Sequence, residues 1–252
     1  TQDEVLSNLV SDNADILMVN LVDTRATQDV INRFKSKNIP IIFFNREPVS
    51  VDALRYYGKA YYVGTNAKEA GEMQGKIIVD IWNKNREFID KNNNGILQYV
   101  MLEGEHGSIE ARERSESSIG TINKAGIKTE QLALKAADWQ RDLAKTNISS
   151  LLLQYGKNIE AIIANNDEMA IGAVEALQNN GYNLGDKNKT IVVVGIDATA
   201  EAQELIKKGF MAGSVMQDPY EMAEASYAIG MNVFEGRDPL YGTKYKFDDT
   251  KV

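Results

Sequence analysis

The sequence predicts an α/β fold with parallel sheets flanked by helices. Short apolar runs alternate with amphipathic stretches of helical length along most of the 252 residues. The runs are apolar throughout rather than at every second residue, as expected of strands covered by helices on both faces. Several end in Asn, Asp, Gln or Gly, residues that mark a chain leaving a sheet.

In chain order, Val5, Leu6, Leu9 and Val10 make the apolar face of a first helix. A strand at 16–19 ends at Asn20, and a helix over 27–36 buries Val30, Ile31 and Phe34. A strand at 41–44 ends at Asn45, and a polar loop leads to a strand at 60–63. A long helix runs from Ala67 to about Trp82, and a strand at 97–102 ends in the Gly-rich turn 104–107. A helix over 109–124 and a short strand at 131–134 follow. The next helix begins near Asp138 and carries Trp139, Leu143 and Ile148. The strand at 161–164 ends at Asn165-Asn166-Asp167, which also reads as the cap of a helix over 168–178. The strand at 191–194 ends at Gly195-Ile196-Asp197, and the helix with Leu205 and Ile206 stops at Gly209. The strand at 213–216 ends at Gln217-Asp218-Pro219, a last helix covers 222–234, and 245–247 forms a weak final strand. Changes of register near 64–67 and at 217–218 predict two crossings between lobes.

Composition excludes several functions. The length suits one large domain or two smaller ones, and no apolar run approaches the roughly 20 residues of a membrane helix. Acidic residues outnumber basic ones, 36 to 28, which argues against a general nucleic-acid surface. There is no Cys, hence no disulfide, thiolate chemistry or Cys-ligated zinc, and His106 is the single His. The lack of Cys permits export. No signal peptide opens the chain, and Thr1 begins in helical pattern, so a mature or trimmed piece is expected.

The run 90–98 has a distinctive rhythm. Asp90, Asn92, Asn94 and Gln98 place side-chain oxygens at loop positions 1, 3, 5 and 9, Gly95 stands at 6, and the Ile96 carbonyl falls at 7. That is the ligand order of an EF-hand calcium loop. Position 12, which should carry a bidentate Glu, is Met101 in an apolar run. Two readings are open on these residues alone: a calcium loop that borrows its last carboxylate from elsewhere, or an Asn-rich surface turn.

In open α/β sheets, ligands bind outside the carboxyl ends of the strands. Those ends carry Asn45, Asn166, Asp197 and Gln217, with Trp139 near a helix start and Arg114 on the helix after the Gly-rich turn. Directed amides and carboxylates beside an aromatic plate suit a neutral polyhydroxylated molecule. Each residue also has an ordinary role: Asn and Asp as turn and cap residues, Trp as core, and Arg114 paired with Glu110 four residues earlier. Their co-location at one sheet edge favours a site.

At these residues the chain resembles the galactose/glucose-binding proteins of bacterial sugar importers, within the periplasmic binding protein superfamily. The stretches are 41–48 (IIFFNREP), 60–64 (AYYVG), 126–131 (GIKTEQ), 163–177 (IANNDEMAIGAVEAL) and 194–198 (VGIDA). The resemblance implies a two-lobed fold, with residues 1–64 and 218–242 in the first lobe, 65–217 in the second with the calcium loop, and 243–252 returning toward the second. It implies capture of a hexose, D-galactose or D-glucose, between the lobes, with no chemistry on the sugar. It implies delivery to the membrane permease of an ABC importer, possible reading by a chemoreceptor, and a periplasmic or lipid-anchored location. It completes a Ca2+ site with Glu160, just before the strand at 161–164. Sugar-contacting types match at Asn45, Arg114, Trp139, Asn166 and Asp197. Ser108, Glu110 and Gln217 replace a His, an Asp and an Asn of the family pattern, keeping hydrogen-bonding ability but changing reach.

Family members begin with a strand, helix and strand ahead of the helix that opens this chain, and the first of those strands supplies an Asp and an aromatic to the sugar site. The C-terminus also stops before the family's last crossing strand. An incomplete first lobe is therefore expected, with unpaired backbone groups and exposed apolar side chains, or a strand-exchanged homodimer that fills the gap. Other readings are a relative that has lost sugar binding and acts as an interaction protein, and the sugar-sensing domain of a regulator, which the calcium loop disfavours. An enzyme built on Asp197 and Glu110 is the weakest, because nothing sets their separation.

Overall fold

The computed structural model describes residues 1–12 and 14–252. The chain divides into two compact units, Thr1–Thr65 with Asp218–Val252, and Asn66–Gln217.

The first unit opens with α1 (Gln2–Ser11), capped by Thr1 in a reciprocal capping box with Glu4. Strand β1 (Leu17–Val19), helix α2 (Thr27–Lys35) and strand β2 (Ile41–Phe44) follow. Helix α3 (Val51–Tyr57) then leads to strand β3 (Ala60–Val63). The strands form a parallel sheet in the order β1-β2-β3. One face buries Leu17, Val19, Ile41 and Phe43 against Leu6 of α1, Val30, Ile31 and Phe34 of α2, and Leu54 of α3. The expectation of a plain polar loop after β2 is corrected. Ser50 accepts from the Ala53 amide and Gly58 closes the turn at φ 70°, so seven residues have both ends satisfied as a helix.

The second unit starts with α4 (Ala67–Lys84), capped by Asn66, and α5 (Arg86–Ile89). Strand β4 (Ile96–Glu103), helix α6 (Ile109–Lys124), strand β5 (Lys128–Ala136) and helix α7 (Arg141–Tyr155) follow. Then come β6 (Ala161–Ala164), α8 (Asp167–Asn179), β7 (Val192–Asp197), α9 (Ala200–Lys207) and β8 (Gly213–Met216). All five strands are parallel, in the order β5-β4-β6-β7-β8. Alternate residues of the central strands serve opposite cores. Val100, Leu102, Ile162 and Val193 pack on Ile148 of α7 and Ile171 and Val174 of α8. Leu97, Tyr99, Met101, Ile163 and Val194 pack on Ile78 of α4 and Ile122 of α6. Truncating any of these fully buried side chains to Ala costs about 2–5 kcal/mol.

Helix α10 (Pro219–Phe234) belongs to the first unit and covers the second face of its sheet, with Ile229 and Val233 on Ile42. Asp218 caps it and Pro219 stands at its first turn, where its missing N–H is harmless.

Three further expectations are corrected. Strand β5 is longer than 131–134, because β4 offers it a parallel ladder from Ile96 to Glu103, interrupted by an irregularity between Tyr99 and Val100. Residues 245–247 form no strand: the Tyr245 hydroxyl bonds the Glu221 carboxylate and Phe247 stacks on Tyr61, so side chains rather than a ladder hold the segment. Residues 243–252 belong with the first unit instead of returning to the second, since Arg55 donates to the Thr250 carbonyl and Val252 packs on the first core.

Candidate functional site

The carboxyl edge of the second sheet gathers polar groups that strand geometry delivers from several parts of the chain. Strand β4 ends at Glu103-Gly104, β6 gives way to Asn165-Asn166, β7 ends at Asp197, and β8 is followed by Gln217. Arg114, one turn into α6, is 5% exposed and crosses beneath this edge. Its Nη1 donates to the Asn165 carbonyl at 2.9 Å and its Nη2 to Gln217 Oε1 at 2.8 Å. Its Nε is buried without a hydrogen-bond partner, a polar group left for something else to meet.

Trp139 lies over the Arg114 guanidinium, 5.7 Å from ring centroid to Cζ. The turn that presents it is strained. Asp138 and Trp139 are both left-handed, at φ 48° and 63°, a conformation costly for residues with a side chain. The helix therefore begins at Arg141 and not near Asp138, which frees Trp139 from the helix surface. Gly104 makes room for the ring: a Cβ there would stand 2.3 Å from Trp139 Cζ2. Gly104→Ala is expected to displace the indole, read as a changed Trp emission in a Trp82→Phe background, with strand β4 still folded.

Asn166 caps α8 through its Oδ1, which accepts from the Met169 amide at 3.0 Å, while its Nδ2 donates to the Trp139 carbonyl at 3.3 Å. The cap role read from the sequence and a hold on the Trp139 turn thus coincide in one side chain. Asp197 stands on a second strained turn, with φ 124° at Asp197 and 54° at Ala198. Burial pushes its carboxyl up from an ordinary 3.8 to about 7, against the pull of the Arg114 charge and with a further push from Asp167.

Sequence reasoning missed the supports beneath these groups. Asn165 is fully buried, accepts from the Gly104 amide at 3.0 Å and donates to Ser115 Oγ at 3.0 Å. Asp167 is fully buried too, accepting from Ser214 Oγ at 2.6 Å and the Thr199 amide at 2.7 Å. The Asn-Asn-Asp run was the available signal, but a run of cap-forming residues does not reveal which of them turn inward.

The other sugar candidates lie at the start of α6 and in the first unit. Ser108 is the N-cap of α6, accepting from the Ala111 amide at 3.3 Å, and Glu110 lies in the first turn of that helix. Asn45 belongs to the first unit, at φ 65° after β2, where its carbonyl accepts from the Tyr62 hydroxyl at 2.9 Å.

The loop from Asp90 to Gln98 lies at the opposite, amino edge of the same sheet. Asn92 Oδ1 and Asn94 Oδ1 accept from the amides two residues on, of Asn94 and Ile96, and Gly95 adopts φ 79°. Asp90 and Glu160 are 2% and 1% exposed. Asp90 accepts from the Asn94 and Gly95 amides at 3.0 Å and from Arg86 Nε at 2.8 Å. Glu160 accepts from the Lys91 amide at 2.7 Å and the Gln98 amide at 3.0 Å. Burial raises the Glu160 pKa, its amide donors oppose that, and the Asp90 charge adds to it. Among the described residues, no three His, Cys, Asp or Glu side chains cluster as a metal site. The loop instead offers two buried carboxylates with the side-chain carbonyls of Asn92, Asn94 and Gln98 and the Ile96 carbonyl, an all-oxygen set that fits a hard divalent cation.

The chain is similar to known proteins along most of its length. A family model described as a periplasmic binding protein domain matches residues 1–238. The D-galactose/methyl-galactoside binding periplasmic protein MglB of Haemophilus influenzae is 38% identical over 252 residues, which are 100% of this chain and 73% of that protein. The ribose import binding protein RbsB of Escherichia coli is 27% identical over 221 residues, 88% of this chain and 66% of that protein. Among solved structures, an ABC transporter solute binding protein from Bacillus halodurans with bound myo-inositol has a TM-score of 0.77 and 30% identity, covering 94% of this chain and 75% of that one. One from Actinobacillus succinogenes with bound D-allose also has a TM-score of 0.77, at 22% identity and 97% and 80% coverage, and shows the shared fold. The chain belongs to the periplasmic binding protein family.

Proposed function

We propose that the protein is an extracytoplasmic binding protein for a hexose, D-galactose or D-glucose, that serves the membrane permease of an ABC importer. The observation that carries this reading is the carboxyl edge of the second sheet. There Trp139 offers a flat apolar face for sugar C–H groups, while Asp197, Asn166 and Gln217 accept or donate to hydroxyls. The unmet Arg114 Nε adds a charged donor. The groups hold a polyol, and no step of bond making or breaking is asked of them. The galactose-binding relative at 38% identity supports the choice of hexose.

A second reading is a cyclic polyol, supported by the relative with bound myo-inositol at 30% identity. Calorimetric titration with D-galactose, D-glucose, D-ribose and myo-inositol separates these. The reading expects saturable micromolar or tighter binding of a hexose, with the others at least about tenfold weaker. A preference for myo-inositol or ribose would replace the hexose, and no binding of any of them would end the sugar reading.

We also propose that Ca2+ occupies the 90–98 loop with Asp90, Asn92, Asn94, the Ile96 carbonyl, Gln98 and Glu160. The oxygen-only donor set and the two buried carboxylates support it.

A further inference from the structure

We propose that Arg141, which lies beside the sugar candidates but is not one of them, is the positioning residue of this site: it holds the two strained turns that present Trp139 and Asp197. The proposal rests on the sugar reading for its functional part and on geometry for its structural part. Arg141 is the first residue of α7, two residues after Trp139. Its guanidinium makes two bidentate pairs. Nε and Nη2 donate to Glu168 at 3.0 and 3.2 Å, and Nη1 and Nη2 donate to Glu201 at 3.1 and 2.6 Å.

Glu168 lies in the first turn of α8, directly after Asn166-Asp167, and Glu201 lies in the first turn of α9, four residues after Asp197. One planar group therefore ties together the starts of three helices, each of which leaves a strand end that carries a candidate ligand. The backbone is fixed as well as the side chain: a Cβ on Gly172 would stand 2.2 Å from the Arg141 carbonyl, so α7 and α8 pack there without clearance.

The strain explains why such a tie is needed. Asp138 and Trp139 before α7, and Asp197 and Ala198 before α9, are consecutive non-glycine residues at positive φ. Such turns persist only where their surroundings over-determine them. The Asn166 side chain restrains the first turn through the Trp139 carbonyl, and Asp167 restrains the second through the Thr199 amide. Arg141 joins both to α8 from the solvent side. Its side chain is 27% exposed and those of Glu168 and Glu201 are 48% and 54% exposed, so the pairs add little to global stability, and their rigid bidentate geometry is what they contribute. Lys cannot reproduce it, because an ammonium does not span two carboxylates in one plane.

The test uses the full chain with Trp82→Phe, so that Trp139 reports alone, and compares Arg141 with Arg141→Met and Arg141→Lys. Both variants are expected to keep their unfolding temperature within a few degrees. Both should show a Trp139 more open to acrylamide quenching in sugar-free protein, with hexose affinity about tenfold weaker. Glu201→Gln, should the Arg variants fail to fold, opens one of the two pairs and is expected to give the same changes in smaller measure. Unchanged Trp139 quenching in the folded variants would overturn the proposal whether or not sugar binds. Unchanged affinity in a protein whose parent binds hexose would overturn it too. A parent that binds no sugar ends the sugar reading, and the quenching result still decides whether Arg141 holds the turns.

Discussion

Asp197→Asn is expected to make the sugar-free protein more stable at pH 8 and to weaken sugar binding at the same time. The folded carboxyl ionises at about 7, while the same group in the unfolded chain ionises near its ordinary 3.8. Between those values the folded state holds a proton that the unfolded state has released. Stability from this group is therefore complete below about pH 4 and is lost as pH rises through 7. A displacement of that size corresponds to about 4 kcal/mol, reduced by the partial exposure of the side chain. The neutral amide carries no such cost, so Asp197→Asn should raise the unfolding temperature at pH 8 by roughly 4–10 °C and leave it nearly unchanged at pH 4. Affinity should fall by about ten- to a hundredfold, as a charge-assisted acceptor is replaced by a neutral one. Thermal unfolding at the two pH values with calorimetric titration checks both halves. A variant no more stable than its parent at pH 8 would contradict the burial argument.

The second large expected effect concerns the calcium proposed for the 90–98 loop. Asp90 and Glu160 are buried at one loop, and apart from Arg86 on Asp90 the groups that donate to them are backbone amides, a costly arrangement for two carboxylates. A chelator is expected to lower the unfolding temperature by roughly 5–10 °C when the ion is present at about a hundred times its dissociation constant, which is worth about 2.7 kcal/mol. Glu160→Gln should abolish this dependence, its single side-chain oxygen keeping one of the Lys91 and Gln98 amides paired. Equal unfolding temperatures with calcium and with chelator would show that the loop is an Asn-rich turn held by its own hydrogen bonds.

The strands were the most legible part of the chain. Residues 41–44, 161–164 and 191–194 are apolar runs too short for helices, and their polar ends follow from where a parallel sheet opens. Helix α3 was hidden because Val51–Tyr57 has only Ala53 and Leu54 buried, so periodicity is weak, although Ser50 and Gly58 mark both ends. Tyr245-Lys246-Phe247 alternates like a strand, but alternation cannot say whether a sheet edge is in reach, and Glu221 and Tyr61 take its side chains instead. At the site, Arg114, Trp139, Asn166, Asp197 and Gln217 were readable as strand-end and near-strand residues. Their supports were not. Asn165 and Asp167 look like ordinary caps until burial shows them bonded to Gly104, Ser115, Ser214 and Thr199. Likewise the left-handed turns at Trp139 and Asp197 hold no glycine, so sequence offers no warning of them.

The most direct test of the central claim is a crystal structure of this chain grown with D-galactose and calcium. The account predicts a sugar ring lying on the Trp139 indole, with hydroxyls within hydrogen-bond distance of Asp197, Asn166 and the Arg114 guanidinium. A sugar bound away from the carboxyl edge of the second sheet, or a structure with no sugar at that edge, would contradict it.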